Sequence, residues 1–242
     1  YRDGQTDPIA TYTIDTDKTT NVQTYTIPNL LVKDDASTYT YSIKEKEISL
    51  SNGDKYVGTC EGSKITNLLT GVITKDVNVT WTDKDNVNNS RPSNLTADLN
   101  QNGTKIEEYI FDIESGEESY VFENLPKYDE NGKLYTYTIS APDSIDGYTT
   151  SCDGTTISNV LNKITYTVDY YYDNEIDSTK QEVIEVDYKD TITTHTDKVI
   201  EGYEIKTVET LPVVIDSENI VIKVYYTKRT DLEYTVKYVD PD

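Results

Sequence analysis

Two stretches of this chain repeat the same residue types at the same spacing. The segment YVGTCEGSKITNLL (56–69) matches YTTSCDGTTISNVL (148–161) at a constant offset of 92 residues (148 − 56 = 92). Upstream, STYTYSIKEKE (37–47) lies over KLYTYTISAPD (133–143) at an offset of 96 (133 − 37 = 96). A chain that repeats at this period folds as a tandem array of similar small domains, and such arrays are usually scaffolds.

Acidic residues outnumber basic ones in this chain. There are 44 Asp and Glu against 22 Lys and Arg, which gives a net charge of -22. A chain so negative repels the phosphates of nucleic acids and anionic membrane surfaces, and favours a solvated, extracellular location. No stretch approaches the roughly 18 apolar residues of a membrane span, so we expect no membrane insertion. Because Tyr1 opens neither a signal peptide nor an initiator methionine, we expect part of a longer protein.

The hydrophobic pattern predicts strands almost throughout. β-Branched and aromatic residues alternate or cluster with a period of two at residues 39–43, 135–139, 164–170 and 220–226. The 22 Tyr against 2 Phe suit half-exposed sheet faces. Turn dipeptides stand at Asn52-Gly53, Asn102-Gly103 and Asn131-Gly132. The sequence therefore predicts an all-β chain of small sandwich domains.

Residues 79–159 carry several motifs in a fixed order. The opening VTWTDKDNVNNSRP contains Trp81, the centre reads YVFENLPKYDENGKLYTYTI, and the close reads IDGYTTSCDGTTISN. This series resembles the Cna B-type domain of Gram-positive surface proteins and pili, and we assign that domain to residues 71–161. Residues 1–70 resemble the same domain without its first strand, through YTIPNLLVKDD, STYTYSIKEKE and KITNLL. The resemblance implies tandem prealbumin-like, reversed-immunoglobulin sandwiches that serve as stalk or adhesin modules.

Domains of this family often form an internal isopeptide bond, and the resemblance implies which residue types are needed. A first-strand lysine, two positions before the tryptophan, must be buried so that desolvation lowers the pKa of its amine and leaves a nucleophile. A facing glutamate, kept protonated by the same burial, polarises the carboxamide of a last-strand asparagine and transfers protons while ammonia leaves. All three residues must be present.

The two copies retain different parts of this set. In the second copy Val79 takes the lysine position and Ala141 the glutamate position, and only Asn159 is kept. We therefore predict no isopeptide bond within residues 71–161, and expect Val79 and Ala141 to pack as core. In the first copy Glu45 and Asn67 occupy the matching positions, but the strand for the lysine is missing. Either an upstream strand of a longer chain supplied it, or another molecule does.

Residues 162–228 form a third unit. The segments ITYTVDYYYDNEI, DYKDTITTHTDKVIEGYEI and ENIVIKVYYTK resemble the mucin-binding-protein (MucBP) repeat of Gram-positive surface proteins, which implies a small β-rich, β-grasp-like module. In the tail, 229–242, the sequence YTVKY (234–238) repeats YTVDY (166–170) at an offset of 68 (234 − 166 = 68). The tail therefore fits the start of another such repeat.

The same tail also fits as the strand that the first domain lacks. Lys237 stands two residues before Val239, much as the family places its lysine before the tryptophan. Our hypothesis is that residues 234–240 of one molecule complete the first domain of the next, with Glu45 promoting an isopeptide bond between Lys237 and Asn67. Head-to-tail joining of this kind gives an open filament.

The two cysteines occupy the same place in two domains. An intramolecular bridge between Cys60 and Cys152 would need Cα atoms within about 7 Å, which domains stacked end to end seldom allow. Two alternatives remain. Either both are buried free thiols, or they form intermolecular disulfides that reinforce a fibre.

Few residues point to catalysis or to a metal. His195, in the polar run TTHTDK, has no nucleophile in a recognisable motif, and we expect it to be solvated. Asp83, Asp85 and Asn86 offer oxygens to a cation, but the glycine and terminal glutamate of an EF-hand loop are absent. We predict no enzyme activity, no cofactor and no metal site.

Two functions from different classes fit these observations. The first is a structural stalk or fibre subunit at a Gram-positive cell surface or cell wall, whose partners are copies of itself or neighbouring domains of a longer surface protein. The alternative is an adhesin segment that binds a host glycan or matrix protein through tyrosine-rich faces such as Tyr170, Tyr171 and Tyr172.

Overall fold

The computed structural model describes residues 1–14, 22–35, 37–142, 144–196 and 198–240. The chain divides into two compact units, of which the first contains Tyr1–Thr74 with Glu123–Thr136 and the second contains Lys75–Phe122 with the chain from Tyr137 onward. Regular structure in the described ranges consists of strands, and these ranges hold no helix that could span a membrane. The predicted all-β class is confirmed.

The strands follow one another in this order: β1 Ile48–Ser49, β2 Lys55–Glu61, β3 Lys64–Thr70, β4 Val72–Thr82, β5 Asn94–Gln101, β6 Thr104–Asp112, β7 Ser119–Pro126, β8 Tyr137–Ser140, β9 Tyr148–Cys152, β10 Thr156–Leu161, β11 Lys163–Tyr172, β12 Glu175–Ile176, β13 Glu182–Asp187, β14 Thr191–Ile192, β15 Tyr203–Glu209, β16 Val213–Val214 and β17 Val221–Lys228.

The strands from β4 to β10 form two sheets of a sandwich. One sheet has the order β7-β4-β10-β9 and the other has the order β6-β5-β8. Within the first, β4 and β10 run parallel, so the opening and closing strands of this domain lie side by side. Strands of both sheets contribute buried apolar side chains, as expected for packed sheets: Val77, Val79, Leu95, Ala97, Leu99, Phe111, Phe122, Ile139 and Ile157.

A third module follows after a single connecting residue, Asn162. Its main sheet has the order β12-β11-β17-β15, with β13 also paired to β11, and β11 runs parallel to β17. Alternate residues of β11 and β17 point into one core, which is the burial pattern that the period-two alternation predicts. The buried members of that core are Tyr166, Val168, Tyr170, Ile215, Ile222, Val224 and Tyr226.

The first unit is built differently. It contains a short antiparallel sheet of order β1-β2-β3. Among the described residues of 1–74, no apolar side chain is buried, whereas the chain from Val77 onward carries a full core. Tyr56 is exposed on one face of this sheet, and the paired residues Val57 and Leu68 are exposed on the other. Both faces of the sheet therefore carry exposed apolar side chains.

Predicted strands formed where a neighbour was available to pair with them. Residues 164–170 lie within β11, and 220–226 match β17 to within two residues at each end. Residues 135–139 form a strand only from Tyr137 onward. The predicted strand 39–43 was wrong, because that segment makes only one isolated bridge, between Tyr41 and Arg2. A single strand without a partner is not stable in water, so the local pattern alone was not sufficient.

The Asn-Gly dipeptides do mark tight turns. Asn52-Gly53 connects β1 to β2, and Asn102-Gly103 connects β5 to β6. Asn102 and Gly103 have φ angles of 50° and 82°, the left-handed values that a two-residue type I′ hairpin requires. These turns fix the register of both hairpins.

The second and third modules are joined by a packed contact within the second unit. The ring of Tyr188 is buried in a cluster with Tyr148 and Leu161. Its backbone N–H donates to the carbonyl of Asn162 over 3.0 Å, and its hydroxyl donates to Asp146. A methyl group placed on Gly147 would overlap this ring. Glycine at position 147 is therefore what admits Tyr188.

We expect Gly147→Ala to destabilise the second unit by about 2 kcal/mol more than Gly154→Ala, because only the first overpacks a buried ring. Both glycines have left-handed φ values, 76° and 91°, so the backbone strain is similar. A methyl group on Gly154 would meet only Thr138 Cγ2, at 4.0 Å. Urea unfolding of the two variants measures the difference, and equal losses of stability would show that Tyr188 is not held at this position.

Candidate functional site

The β2–β3 hairpin of the first unit brings the predicted pair of residues together. Gly58 on β2 lies opposite Asn67 on β3. The side-chain amide of Asn67 donates a hydrogen bond to Glu45 Oε1 over 3.1 Å. Glu45 is half-buried, while Asn67 is still exposed. The acid and the carboxamide that the sequence singled out are therefore in direct contact, at a surface that another strand could reach.

The second oxygen of this carboxyl group has no partner. Glu45 Oε2 is buried, yet no described group donates a hydrogen bond to it. A buried carboxyl oxygen without a donor is costly and rare. Gly58 lies directly beneath it, since a methyl group placed there would overlap Oε2. The site therefore lacks one donor, and it has the geometry to accept one from outside the hairpin.

Equivalent positions in the two copies differ sharply in burial. Tyr56 and Tyr148 are matched at the offset of 92, but they are 36% and 6% exposed, respectively. Leu69 is only half-buried, while its counterpart Leu161 is buried. In both hairpins these residues lie opposite each other, Tyr56 with Leu69 and Tyr148 with Leu161. The same face is thus core in the second copy and surface in the first.

In the second copy, a further strand pairs with the edge of the hairpin. β10 lies between β9 and β4, and its parallel register with β4 places Ile157 opposite Val79 and Asn159 opposite Trp81. In the first copy, β3 is the equivalent of β10, and it forms the edge of the sheet β1-β2-β3. The free edge of β3 is therefore the place where a lysine-bearing strand would pair.

The second copy has a filled version of this site. Val79 and Asn159 are 3% and 1% exposed, and Ala141 is half-buried. Thr150 Oγ1 donates to Asn159 Oδ1 over 2.8 Å, and Asn159 Nδ2 donates to the carbonyl of Thr80 over 3.4 Å. Asn159 is held by hydrogen bonds, as expected for a structural residue of a terminal strand.

Lys237 lies in the tail, where residues 231–240 form no strand. Within the described part of the chain its amine makes no hydrogen bond or ion pair, and its neighbours Tyr238 and Val239 are 92% and 79% exposed. The structure thus pairs Glu45 with Asn67 and leaves Lys237 available.

Both cysteines are free thiols. Cys60 is exposed and Cys152 is half-buried. The thiol of Cys152 contacts the carbonyl oxygen of Ile139 at 3.2 Å, as a weak donor would. Cys60 lies opposite Ile65 on the same face of the hairpin as Gly58, because residues two apart in a strand share a face.

A buried aspartate in the first unit was missed by the sequence reasoning. Asp54 is only 3% exposed and accepts from Lys127 Nζ at 2.8 Å, Tyr128 Oη at 2.5 Å and Asn52 Nδ2 at 2.7 Å. The hydrogen bond from Lys127, followed by that from Tyr128, lowers the pKa of Asp54 below its ordinary value. This cluster ties the β1–β2 turn to the NLPKY motif, a long-range pairing that no local pattern indicates.

The loop considered for calcium uses its oxygens internally. Asp83 accepts hydrogen bonds from Nε and Nη2 of Arg91, at 2.6 and 2.7 Å. It also accepts one from the hydroxyl of Tyr148 at 2.9 Å. Asn86 Oδ1 accepts the backbone N–H groups of Ser90 and Arg91. No group of three acidic, histidine or cysteine residues in the described ranges is placed to hold a metal ion.

His195 is not simply solvated, as the sequence suggested. It is half-buried, and its Nε2 lies 3.1 Å from the hydroxyl of Tyr170. The nearby Tyr170 hydroxyl donates to Glu182 at 2.9 Å. His195 therefore contacts Tyr170 of the third module's core, which a local reading of polarity does not show.

Part of the chain is similar to a known domain family. Residues 76–160 match the Cna protein B-type domain, which confirms the resemblance inferred for 71–161. A collagen adhesin of Staphylococcus aureus is 34% identical over 122 residues. The match covers 49% of this chain but 9% of that protein, so the chain spans a small part of its curated relative.

Solved structures with similarity to this chain include the following three. Two B repeat units of the S. aureus collagen binding protein give a TM-score of 0.40 at 20% identity, covering 83% of this chain and 61% of that one. The Bacillus anthracis TIE protein gives 0.44 at 12% identity, covering 73% and 41%. The pilus adhesin SpaC from Lactobacillus rhamnosus GG gives 0.32 at 11% identity, covering 73% and 32%.

Proposed function

We propose that this chain is an extracellular structural segment of a Gram-positive cell surface, and that copies of it join head to tail into a stalk or fibre. The observation that carries the proposal is the incomplete site of the first unit. It combines a free β3 edge, an uncovered apolar face and a buried Glu45 oxygen that lacks a donor. The match to a surface-protein domain and the net charge of -22 support the location.

The tail has the features that this site requires. If residues 234–240 pair with β3 as β4 pairs with β10, Lys237 takes the place of Val79 and Val239 that of Trp81. Lys237 then lies opposite Ile65, next to Asn67 along the strand. Inserting a strand satisfies both an exposed edge and an unpaired segment. The ammonium or amine of Lys237 supplies the donor that Glu45 Oε2 lacks.

Strand insertion also sets up a condensation between two side chains. Neutral Lys237 Nζ attacks Asn67 Cγ, and the new Cγ–Nζ bond replaces the Cγ–Nδ2 bond. Glu45 accepts a proton from Nζ and delivers it to Nδ2, which leaves as ammonia. One amine and one carboxamide thus yield one isopeptide bond and one ammonia, with no oxidant or cofactor. The hydrogen bond between Asn67 Nδ2 and Glu45 Oε1 over 3.1 Å supports this role, because the carboxyl group is in contact with the nitrogen that would leave.

Joining a tail to a different surface on the next copy is a heterologous contact. Because such contacts do not close on themselves unless the rotation returns to the start, they generate an open filament. In a longer surface protein, a neighbouring domain would supply the same strand in place of a second copy. Both arrangements make the chain one link of a continuous, protease-resistant stalk.

The decisive experiment is peptide mapping by mass spectrometry of the full chain, incubated at high concentration. We expect a crosslinked peptide pair containing Lys237 and Asn67, lighter than the sum of its parts by one ammonia. Lys237→Arg removes it, and Glu45→Gln slows its formation by about 10²-fold or more, in line with loss of a general acid–base. Lys206→Arg, an exposed lysine on β15, is the matched control and leaves the crosslink intact.

If the unmodified chain assembles but gives no such peptide pair, the covalent step is wrong and only non-covalent insertion remains. If it neither assembles nor crosslinks, the head-to-tail proposal fails.

The placement of the cysteines favours the free-thiol alternative. Cys60 lies on the face that an inserted strand would cover, and Cys152 is already half-buried at the equivalent position. We therefore expect assembled chain to show no thiol-sensitive ladder on a non-reducing gel. A ladder that disappears with reductant would instead support intermolecular disulfides.

An adhesin is the second candidate function. In the third module Tyr171 and Tyr225 lie opposite each other in parallel register, half-buried, with rings stacked 4.7 Å apart. Exposed tyrosine faces can stack on sugars, and the resemblance of residues 162–228 to the mucin-binding repeat points the same way. A glycan-array signal that is lost in Tyr171→Ala would support this function. The absence of any signal would leave the structural role alone.

A further inference from the structure

The two hairpins are equivalent in register but differ at one position beneath the asparagine. Gly58 lies opposite Asn67, and Thr150 lies opposite Asn159, at the same offset of 92. Flanking pairs are conserved in type, since Cys60 pairs with Ile65 as Cys152 pairs with Ile157. The equivalent positions 58 and 150, called position 58/150 below, thus hold a glycine in the first copy and a threonine in the second.

In the first copy the carboxyl group of Glu45 occupies the space that a side chain at position 58 would fill. A methyl group at Gly58 would overlap Glu45 Oε2 and approach Glu45 Cβ and Asn67 Oδ1 to 3.1 Å. Contacts this close leave no room for any side chain while the carboxyl group is in place. The Glu45 to Asn67 hydrogen bond therefore depends on glycine at 58.

In the second copy Thr150 occupies that space and makes a different hydrogen bond, to the oxygen of the asparagine. Its hydroxyl donates to Asn159 Oδ1 over 2.8 Å. Beside it lies an open depression of about 260 Å³, lined in part by Ala141, Thr150 and Cys152. Ala141 is the position that corresponds to Glu45 (141 − 45 = 96). The depression has room for a longer side chain at position 141. Thr150, however, lies between that space and Asn159.

We infer that the residue at position 58/150 decides which copy can crosslink: Gly58 admits the proton-carrying acid to its asparagine, and Thr150 excludes it. This inference rests on the proposed crosslinking function, and it identifies Gly58 as a positioning residue, not a catalytic one. It also implies that the lysine and the glutamate are not enough to restore the reaction in the second copy. A third change, removal of the threonine side chain, is required.

Grafting the site into the second copy tests this within one domain. We compare the full-chain double variant Val79→Lys with Ala141→Glu against the triple variant that adds Thr150→Gly. We expect the triple variant to lose one ammonia, with the new bond mapped to residues 79 and 159. The double variant should react at least about tenfold more slowly, by loss of acid–base placement. Equal rates, or a folded triple variant that never reacts, would overturn the inference.

A double-mutant cycle in the first copy covers the case in which the graft does not fold. Gly58→Thr should lower the midpoint of urea unfolding, and adding Glu45→Ala should restore part of that loss, because the pair then matches Thr150 and Ala141. Additive losses would contradict the inference.

The two proposals fail in different ways. The graft needs no second molecule, so a reactive triple variant combined with an absent Lys237 to Asn67 crosslink would refute strand donation and keep the role of Gly58. The reverse combination, an intermolecular crosslink that survives in Gly58→Thr, would refute the role of Gly58 alone.

Discussion

Replacing Asp83 with asparagine is expected to lower the free energy of unfolding of the second unit by about 3 kcal/mol, the scale for breaking a buried ion pair. Asp83 is 4% exposed and binds Arg91 through two hydrogen bonds of 2.6 and 2.7 Å. The amide cannot accept both guanidinium donors, so the largely buried charge of Arg91 loses its counterion. Tyr148, whose hydroxyl also donates to Asp83, loses a charged acceptor.

The control for this variant is Asp85→Asn. Asp85 is exposed and has a φ of 58°, a left-handed value that asparagine tolerates well. The chemical change is the same, but no buried partner is lost, and we expect a change within about 0.5 kcal/mol. Urea unfolding, monitored by tryptophan fluorescence, measures the stability of both variants. Trp81 is a suitable probe because Arg91 Cζ lies 5.1 Å from the centre of its ring. Similar losses in the two variants would contradict the buried ion pair.

Acid should reveal the same interaction in the unmodified chain. Arg91 lowers the pKa of Asp83 below its ordinary value of 3.8. The stabilisation is therefore fully present above pH 3.8, and it is lost as the pH falls from there through the depressed folded pKa. Across that window the unmodified chain should lose more stability than Asp83→Asn, measured by urea midpoints at each pH. Parallel pH profiles would show that Asp83 contributes no linked protonation.

The second large effect concerns the tail, where the two interpretations bury opposite faces. As a donor strand, residues 234–240 turn Lys237 and Val239 inward; as the start of another repeat, they bury Tyr234, Val236 and Tyr238. We expect Val239→Asp to weaken self-association about 100-fold or more, because it buries an unpaired charge. Tyr238→Asp, which changes the outward face, should have little effect.

Sedimentation of the full chain over a range of concentrations measures both tail variants. The opposite order, with Tyr238→Asp abolishing association and Val239→Asp tolerated, would show that the tyrosine face is the buried one and would favour the start of a further repeat. Loss of association in both variants would show only that both faces matter, and would contradict insertion with one buried face.

The strands that the sequence predicted well are those whose pattern and partners agree. β17 alternates half-buried and buried residues from Val221 to Tyr226, and β11 does so from Thr165 to Val168, so the period of two was a sound guide. Residues 39–43 have a comparable pattern but no pairing strand, and they stay irregular. Strand formation depends on non-local partners, which a single local segment does not specify.

Only part of the candidate site was visible in the sequence. Glu45 and Asn67 emerged because the internal repeat aligns them with Ala141 and Asn159. The importance of Gly58 was not visible. It depends on the lack of a side chain there, and only the structure shows that a side chain would overlap Glu45. The Asp54 to Lys127 pair was equally hidden, since it joins residues 73 positions apart.

The most direct test of the open-edge account is hydrogen exchange of the β3 amides, Lys64–Thr70, in the full chain at low and at high concentration. Amides on a free strand edge exchange with solvent, whereas those of a strand paired on both sides are protected. We predict that β3 gains protection on assembly while β17, already central in its sheet, is unchanged. Assembly that leaves β3 exchange as fast as in dilute chain would contradict strand insertion at this edge.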